Sequence, residues 1–591
     1  MSHDDTQRPA GAYSRREFLA LGAGALALGA CGGGGWGRNE PKIDPRAIST
    51  DHTHACDVLI IGGGMAGLFA AVKAHDAGAR TLIVSKGRLG SSGQTPFAKG
   101  LFVFDPATEK TSLDDYLASV SRSALGTNNA AYTRQAAEHS MARVAELRSW
   151  GFFDSNLYHR AFMVPIEERG IPVLERVVIT KLFKDGDRVA GAAGFRLDAE
   201  ETVTVRARSV VLCTGAGGFK PNGFPICDLT HDGTVMAYEI GARVTGKEWN
   251  DGHVGRAANP AATYDGWGDM FDRKPGTIGV EIHHDLGVDA NYMAYVQGNP
   301  LHAGPGSGKA TESIAGGPQT PDEFKRRPPG PRDGERPRGG GPPGGDGPPG
   351  PGGGPPGMSG AAMGGASAGM AIHKSEGLVP INDRCESNVP GLYAAGDALG
   401  SYQCGGIYTQ GGSSLTGSAV QGAVAGEAAA SYAQGVATPV ISRAVLSAIA
   451  AEILAPLKRE AGYGPAWVTQ TLQGVMIPNF VLYIKKESLL RAALAYVEEL
   501  RDHHVPRLRA ADMHELRLAH ETENMVISAE MKLRASLLRK ESRCSHYRLD
   551  YPERDDANWR AWINIYKGAR GEMQLEKQPF GAWPDGSTIG A

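Results

Sequence analysis

The sequence predicts an α/β fold, in which a mainly parallel sheet is assembled from two separated stretches of chain and a helical carboxyl-terminal region follows. Three observations predict it. "DVLIIGGGMAG", Asp57 to Gly67, joins an apolar run to a glycine-rich turn; "SVVLCTGAGG" and "GLYAAGDALG" repeat that device much later; and apolar residues recur at helical spacing from about residue 440 onward.

The first run sets the chemistry. Asp57 to Ile61 is short, apolar and rich in β-formers, and Gly62, Gly64 and Gly67 follow at the spacing of a tight strand-to-helix turn that lets backbone approach a pyrophosphate. Met65 and Ala66 lie within that turn, and a helix from about Gly67 to Ala77 would aim its amides at the phosphates. "ARTLIVSK" supplies a second strand that ends at Ser85 and Lys86, where many dinucleotide sites carry an acidic residue against a ribose hydroxyl. Ser85 can both donate and accept there, so the departure weakens an NAD reading more than a flavin one. The loop Gly87 to Val103 is rich in glycine and small hydroxyl residues, and Ser91, Ser92, Gly93 and Gln94 are candidates for phosphate or isoalloxazine contacts.

A strand from Ser209 to Thr214, turning at Gly215, would return the chain to the same sheet. The "GLYAAGDALG" turn then places Asp397 for a ribitol or ribose hydroxyl. "SSLTGSAVQGAVAGEAAASYA" begins a helix with Ser413, Ser414 and Leu415 at its amino end and small residues along it, which permits close approach to flavin and sheet. Between these stretches, Asp115 to Phe153 reads as two helices, Asp187 to Val211 as a hairpin and Thr230 to Ile240 as a short helix.

At 591 residues the chain can bury a large core. Its 61 Lys and Arg against 64 Asp and Glu give no basic signal for nucleic acid or anionic membrane. "YSRREFLALGAGALALGAC" combines Arg15 and Arg16 with a short apolar run and a cysteine after small residues, so residues 1–31 read as a twin-arginine export signal with a lipoprotein box. Cleavage before Cys31 and lipidation of its thiol is the preferred outcome; cleavage elsewhere would leave a periplasmic protein. Residues 32–54 then form a linker. No CxxC pair occurs among the seven cysteines, so neither a metal site nor an iron-sulfur centre is expected.

Taken together, the glycine turns, "AAGDA", the small-residue helix and "RASLLRKESRCSHYRLDYPERDDANW" at Arg534 to Trp559 resemble the flavoprotein family of succinate dehydrogenase and fumarate reductase, which includes aspartate oxidase and adenylylsulfate reductase. The resemblance implies FAD, a split Rossmann-type FAD-binding domain (residues 55–245 and 371–438), an inserted α+β capping domain (246–370) and a helical carboxyl-terminal region (439–591). Inside the capping segment, residues 321–360 hold 12 Pro and 14 Gly, which cannot form a dense core and read as a disordered insertion. Covalently flavinylated relatives carry a histidine in the loop matching Ser91 to Thr95; none occurs here, so FAD is expected to be non-covalent.

The same resemblance supplies the candidate catalytic residues. His253, in "KEWNDGH", falls near the relatives' "QFHPT", and His373, in "GMAIHKSEG", near their "HYNMGG". Where the dicarboxylate branch has "GANRLGGNSL", this chain has "GIYTQGGSSL", which puts Thr409 in place of the substrate-binding arginine and Gln410 beside it. Threonine cannot act as a bidentate cation, whereas Gln410 can bind an amide, carbonyl or hydroxyl. The sequence therefore points to an exported FAD oxidoreductase transferring hydride between flavin and a small organic substrate. The alternatives are a fumarate/succinate-type dicarboxylate enzyme, an adenylylsulfate-reductase-like enzyme, or an FAD-binding scaffold. A separate quinone, cytochrome or iron-sulfur subunit would exchange electrons, and membrane contact would come through lipid on Cys31.

Overall fold

A computed structural model describes residues 49–97, 100–107, 112–154, 158–219, 228–250, 276–278, 374–406, 412–476, 481 and 484–590. The export signal, nearly all of the capping segment with its Pro/Gly-rich insertion, and the four candidate catalytic residues His253, His373, Thr409 and Gln410 lie outside the described residues.

Strands β1 (Ser49–Ile61) and β2 (Thr81–Ser85) run parallel, with Val58 opposite Thr81 and Ile61 opposite Val84. Val58, Leu59 and Ile60 are fully buried, as expected of a parallel strand covered on both faces. A three-residue strand, β3 (Gly100–Phe102), stands apart, while β4 (Val173–Glu175) extends the sheet beyond β2. Next come β5 (Val177–Asp185), β6 (Arg188–Arg196) and β7 (Glu201–Leu212), an antiparallel meander whose last strand pairs parallel to β1 along almost its whole length. The strand expected at Ser209 to Thr214 is thus the end of a longer one.

Helix α1 (Met65–Asp76) follows β1 directly, and α2 (Leu113–Ser123) and α3 (Ala130–Ser149) occupy the stretch expected to hold two helices. Ser112 accepts a hydrogen bond from the Asp115 amide, and Asn129 accepts from the amides of Ala131 and Tyr132, which fixes where α2 and α3 begin. Helix α4 (Tyr158–Glu168) and the short α5 (Asp232–Glu239) complete this half.

Two short strands, β8 (Val244–Thr245) and β9 (Gly276–Ile278), lie just before and within the segment expected to be the cap, and β9 pairs parallel to β3. After residue 373 the chain returns through β10 (Gly377–Leu378), antiparallel to β8, and β11 (Leu392–Ala394), which joins β7 in parallel. Helix α6 (Ser413–Gln434) then packs its backbone onto α1. A Cβ at Gly422 would lie 2.3 Å from the Ala66 carbonyl oxygen, and one at Gly426 would lie 2.3 Å from that of Ala70. The small residues read from the sequence are what let the second stretch of chain close over the first.

Beyond α6 the chain forms α7 (Arg443–Ile453), α8 (Pro465–Met476), α9 (Glu487–Glu499) and α10 (Met513–Leu538). Helix α10 runs unbroken through Asn524, and Met525 and Met531 are fully buried in the core. This region is less helical than its sequence pattern predicts. A parallel pair, β12 (Ile484–Lys485) and β13 (Tyr547–Arg548), and a hairpin, β14 (Ala561–Lys567) and β15 (Met573–Pro579), lie within it. Strand β14 pairs with β8, which gives a four-stranded sheet ordered β10-β8-β14-β15. The carboxyl terminus thus closes against the two strands that flank the cap segment. No helix among the described residues is long and apolar enough to cross a membrane.

Candidate functional site

The carboxyl ends of β1, β2, β7 and β11 and the amino ends of α1 and α6 converge on one open cleft of about 960 Å³, counting its mouth. This is where open α/β sheets bind ligands. Gly62, Gly64, Met65, Ala66, Ser85, Lys86, Ser92, Gly93, Gln94, Gly215, Asp397, Ser414 and Leu415 all line it.

Gly62 has a φ of +121°, and a Cβ there would lie 2.1 Å from the Cys213 carbonyl oxygen. Only glycine lets the turn pass so close under β7. Gly67 lies outside the lining; its place is against the Gly62 carbonyl, where a Cβ would approach to 1.9 Å. The cap residues of α1 and α6 make no side-chain cap bond and neither first turn holds an acidic residue, so backbone amides beyond that of Met65, which Thr95 takes, are left for a ligand. A glycine cradle between two such helix ends fits the diphosphate and flavin of FAD, and Gly62, Gly64, Met65 and Ser414 are the residues that would hold it.

Besides Gly67, three more of the expected cofactor contacts are placed differently. Ser91 is exposed and outside the cleft. Ser413 is buried as the first residue of α6 but does not line the cleft. Lys86 does line it, yet its ammonium is bound 2.8 Å from both Asp232 and Glu521, the latter on α10. Burial alone would lower its pKa, but the two carboxylates outweigh this and raise it, so Lys86 stays a paired cation. Pattern reading missed Thr95, Asp228, Leu229, Asp232, Met236 and Ser418 as lining residues. Of these, Thr95 accepts a hydrogen bond from the Met65 amide at 3.1 Å; its position in the hydroxyl-rich loop was the one available signal.

Behind the cleft lies a buried charged cluster. Lys247 pairs with Glu376 and donates to Ser528 at 2.8 Å, and His231 Nδ1 lies 3.3 Å from Glu376. Lys532 of α10 donates to the carbonyls of Lys247 and Trp249 and to the Asn250 side chain. Burial pushes Lys532 down to about 8 and His231 down to about 4, and Lys247 adds to the depression of His231. Burial works against ionisation of Glu376 as well, but Lys247, His231 and Lys532 hold it well below the carboxylate range.

The carboxyl-terminal "RKESRCSHYRLD" segment is equally buried. Arg539 pairs with Glu248 and Glu541 and lies 4.8 Å over the Trp249 ring. Glu248, five residues before His253 in the chain, is thus committed to Arg539. Arg543 pairs with Glu541 and Asp556, and Arg548 with Asp550. The ion-pair network runs through Glu541 and Asp556, while Asp555 caps a short helix by accepting from the Asn558 amide. Ser545 donates to the Gly406 carbonyl at 2.8 Å and the Gly406 amide donates to Thr127 at 2.8 Å, so the carboxyl-terminal segment clamps the chain just before the 407–411 stretch.

This arrangement has counterparts among known proteins. A model described as "FAD binding domain" matches residues 57–162, and one described as "Fumarate reductase flavoprotein C-term" matches residues 469–582. A fumarate reductase (CoM/CoB) subunit from Methanothermobacter marburgensis is 25% identical over 85% of this chain and 95% of its own. L-aspartate oxidase from Vibrio cholerae is 28% identical over 36% of this chain and 47% of its own. Among solved structures, Mycobacterium smegmatis Sdh1 in complex with UQ1 superposes with a TM-score of 0.65 at 21% identity, over 89% of this chain and 94% of its own. Adenylylsulfate reductase from Archaeoglobus fulgidus superposes at 0.63 and 20% identity, over 91% and 97%.

Fold, cleft and matched segments define an FAD-dependent oxidoreductase. More particularly, the chain is a flavoprotein like those of succinate dehydrogenase and fumarate reductase, with FAD held non-covalently.

Proposed function

We propose that this protein is an exported oxidoreductase acting on a small unsaturated or saturated carboxylic acid, in the manner of fumarate–succinate interconversion. The observation that carries the reading is the similarity to a fumarate reductase chain over 85% of this chain and 95% of that one. FAD supplies two-electron chemistry when bound. The chain's own part is to orient the acid and deliver a proton, and His253, His373, Thr409 and Gln410 remain the proposed residues for this. Ser545 and Thr127, which fix Gly406 from two sides, would position the Thr409–Gln410 stretch that follows. Electrons would be exchanged with a separate quinone, cytochrome or iron-sulfur partner.

Thr409 and Gln410 suit a substrate with one carboxylate and one neutral amide or carbonyl. The anaerobically reduced protein should therefore be reoxidised by fumarate monoamide with a kcat/KM about 10- to 100-fold above that for fumarate, the worth of one charged hydrogen-bonding clamp. Thr409→Arg should shift the preference toward fumarate. Failure of both acids to reoxidise the flavin rejects the proposal, and reoxidation by adenylylsulfate would favour the sulfur chemistry of the adenylylsulfate reductases.

Export rests on Arg15, Arg16 and the lipobox ending at Cys31. Replacing both arginines with lysine should leave full-length precursor inside the cell, and an unchanged distribution between fractions would refute export by this route.

A further inference from the structure

The cleft poses an electrostatic problem. Its charged lining, among the described residues, consists of Asp228, Asp232, Asp397 and a single cation, Lys86. The ligand it fits carries a dianionic diphosphate, and carboxylates without a counter-charge would repel it there. Lys86 pairs with Asp232, and Asp228 accepts a backbone hydrogen bond from Gly93 at 3.2 Å. Asp397, on the turn after β11, needs a counter-charge of its own.

That charge comes from Lys374. Its ammonium lies 2.9 Å from Asp397 Oδ1, donates to the Ser414 carbonyl at 2.6 Å and lies 3.3 Å from Ser418 Oγ, so three acceptors match its three N–H bonds. Lys374 is 2% exposed and Asp397 7%, so little solvent screens the pair. The surroundings are shaped for the lysine: a Cβ at Gly417 would lie 2.4 Å from Lys374 Cε and 2.0 Å from Gln403 Oε1. Gln403 is 1% exposed, and its side-chain amide makes no hydrogen bond. A polar group is thus left without partners beside the lysine stem. Lys374 itself has a φ of +61°, a backbone state that lysine rarely adopts.

We infer that Lys374 is the counter-ion of the FAD site: it neutralises Asp397 and ties its carboxylate to the first turn of α6, so that the aspartate meets the cofactor as a hydrogen-bond acceptor and not as a free negative charge. Lys374 is a positioning residue in this role, acting through Asp397 and the helix end. The inference rests on the FAD assignment and goes beyond it, because neither the glycine turns nor the matched segments point to residue 374.

A charge-removal cycle on the full chain tests it. Deflavinated wild type, Lys374→Met, Asp397→Asn and the double variant are titrated with FAD, following flavin fluorescence quenching. Lys374→Met should weaken FAD binding by at least about 30-fold, since it removes the cation from a buried ion pair. Asp397→Asn, which keeps an acceptor oxygen, should stay within about 3-fold of wild type, and the double variant should recover to within about 3-fold of Asp397→Asn. A double variant as weak as Lys374→Met overturns the inference, because Lys374 would then act only by packing. If Lys374→Met yields no soluble protein, recovery of soluble, flavin-loaded double variant supports the counter-ion role and its failure overturns it. Wild type that does not take up FAD would instead sink the FAD assignment itself.

Discussion

Gly62→Ala is expected to yield a protein that retains almost no flavin and has lost several kcal/mol of stability. Two costs add. Residue 62 sits at φ +121°, which costs an alanine about 1–3 kcal/mol. The new methyl would also lie 2.1 Å from the carbonyl oxygen of Cys213, the residue just past β7 whose amide donates to the Ile61 carbonyl at 2.8 Å, and such overpacking costs about 1–3 kcal/mol more. Relief would require β1 and β7 to separate, and their carboxyl ends are the floor of the cleft. Gly78→Ala is the control: φ is +89°, but the nearest atom to a new Cβ is the flexible end of Gln434 at 4.0 Å. It should pay the backbone cost alone and keep its flavin. The flavin-to-protein absorbance ratio and the urea midpoint are the measurements, and a Gly62→Ala protein with normal flavin content would show that the turn is not the cradle described.

Glu376→Gln carries the second large effect. Glu376 is 2% exposed and is the carboxylate on which Lys247, His231 and Lys532 converge. Removing its charge leaves the buried Lys247 without a counter-ion, a loss of about 3–5 kcal/mol by analogy with other broken buried pairs. Acid should erode the same cluster in the wild type. His231 has a folded pKa of about 4, below its unfolded value, so its unfolded form binds the proton first and stability falls as pH drops from about 6.5 toward 4. Glu376 is depressed too, and its contribution, full above the ordinary carboxylate range, is lost as pH falls below that range. Chemical denaturation at pH 7.5 should show the Glu376→Gln loss, and repeating it at pH 5 should show a larger acid loss for wild type than for His231→Gln, whose side chain takes up no proton. Equal slopes would mean that the cluster is not what acid attacks.

Much of the cleft was legible because a dinucleotide turn leaves a local mark. Gly62, Gly64 and Asp397 are required by backbone geometry or by their place just after a strand, and those demands are written in adjacent residues. Lys86 shows the limit of that reading. Its position at the end of β2 suggested a ribose contact, but its partner Glu521 comes from α10, more than four hundred residues away, and no local pattern announces such a pairing. Strand β14 was hidden for a related reason. "WINIYK" forms a strand by pairing with Thr245 and Val244, whereas the surrounding periodicity is helical.

The sequence by itself determined the cofactor class and the order of strand, turn and helix around it, because each depends on neighbouring residues. Only the tertiary structure decided which charges meet. Lys374 finds Asp397, Glu248 finds Arg539, and Lys247 finds Glu376 through burial against distant parts of the chain, where low dielectric makes the choice of partner decisive.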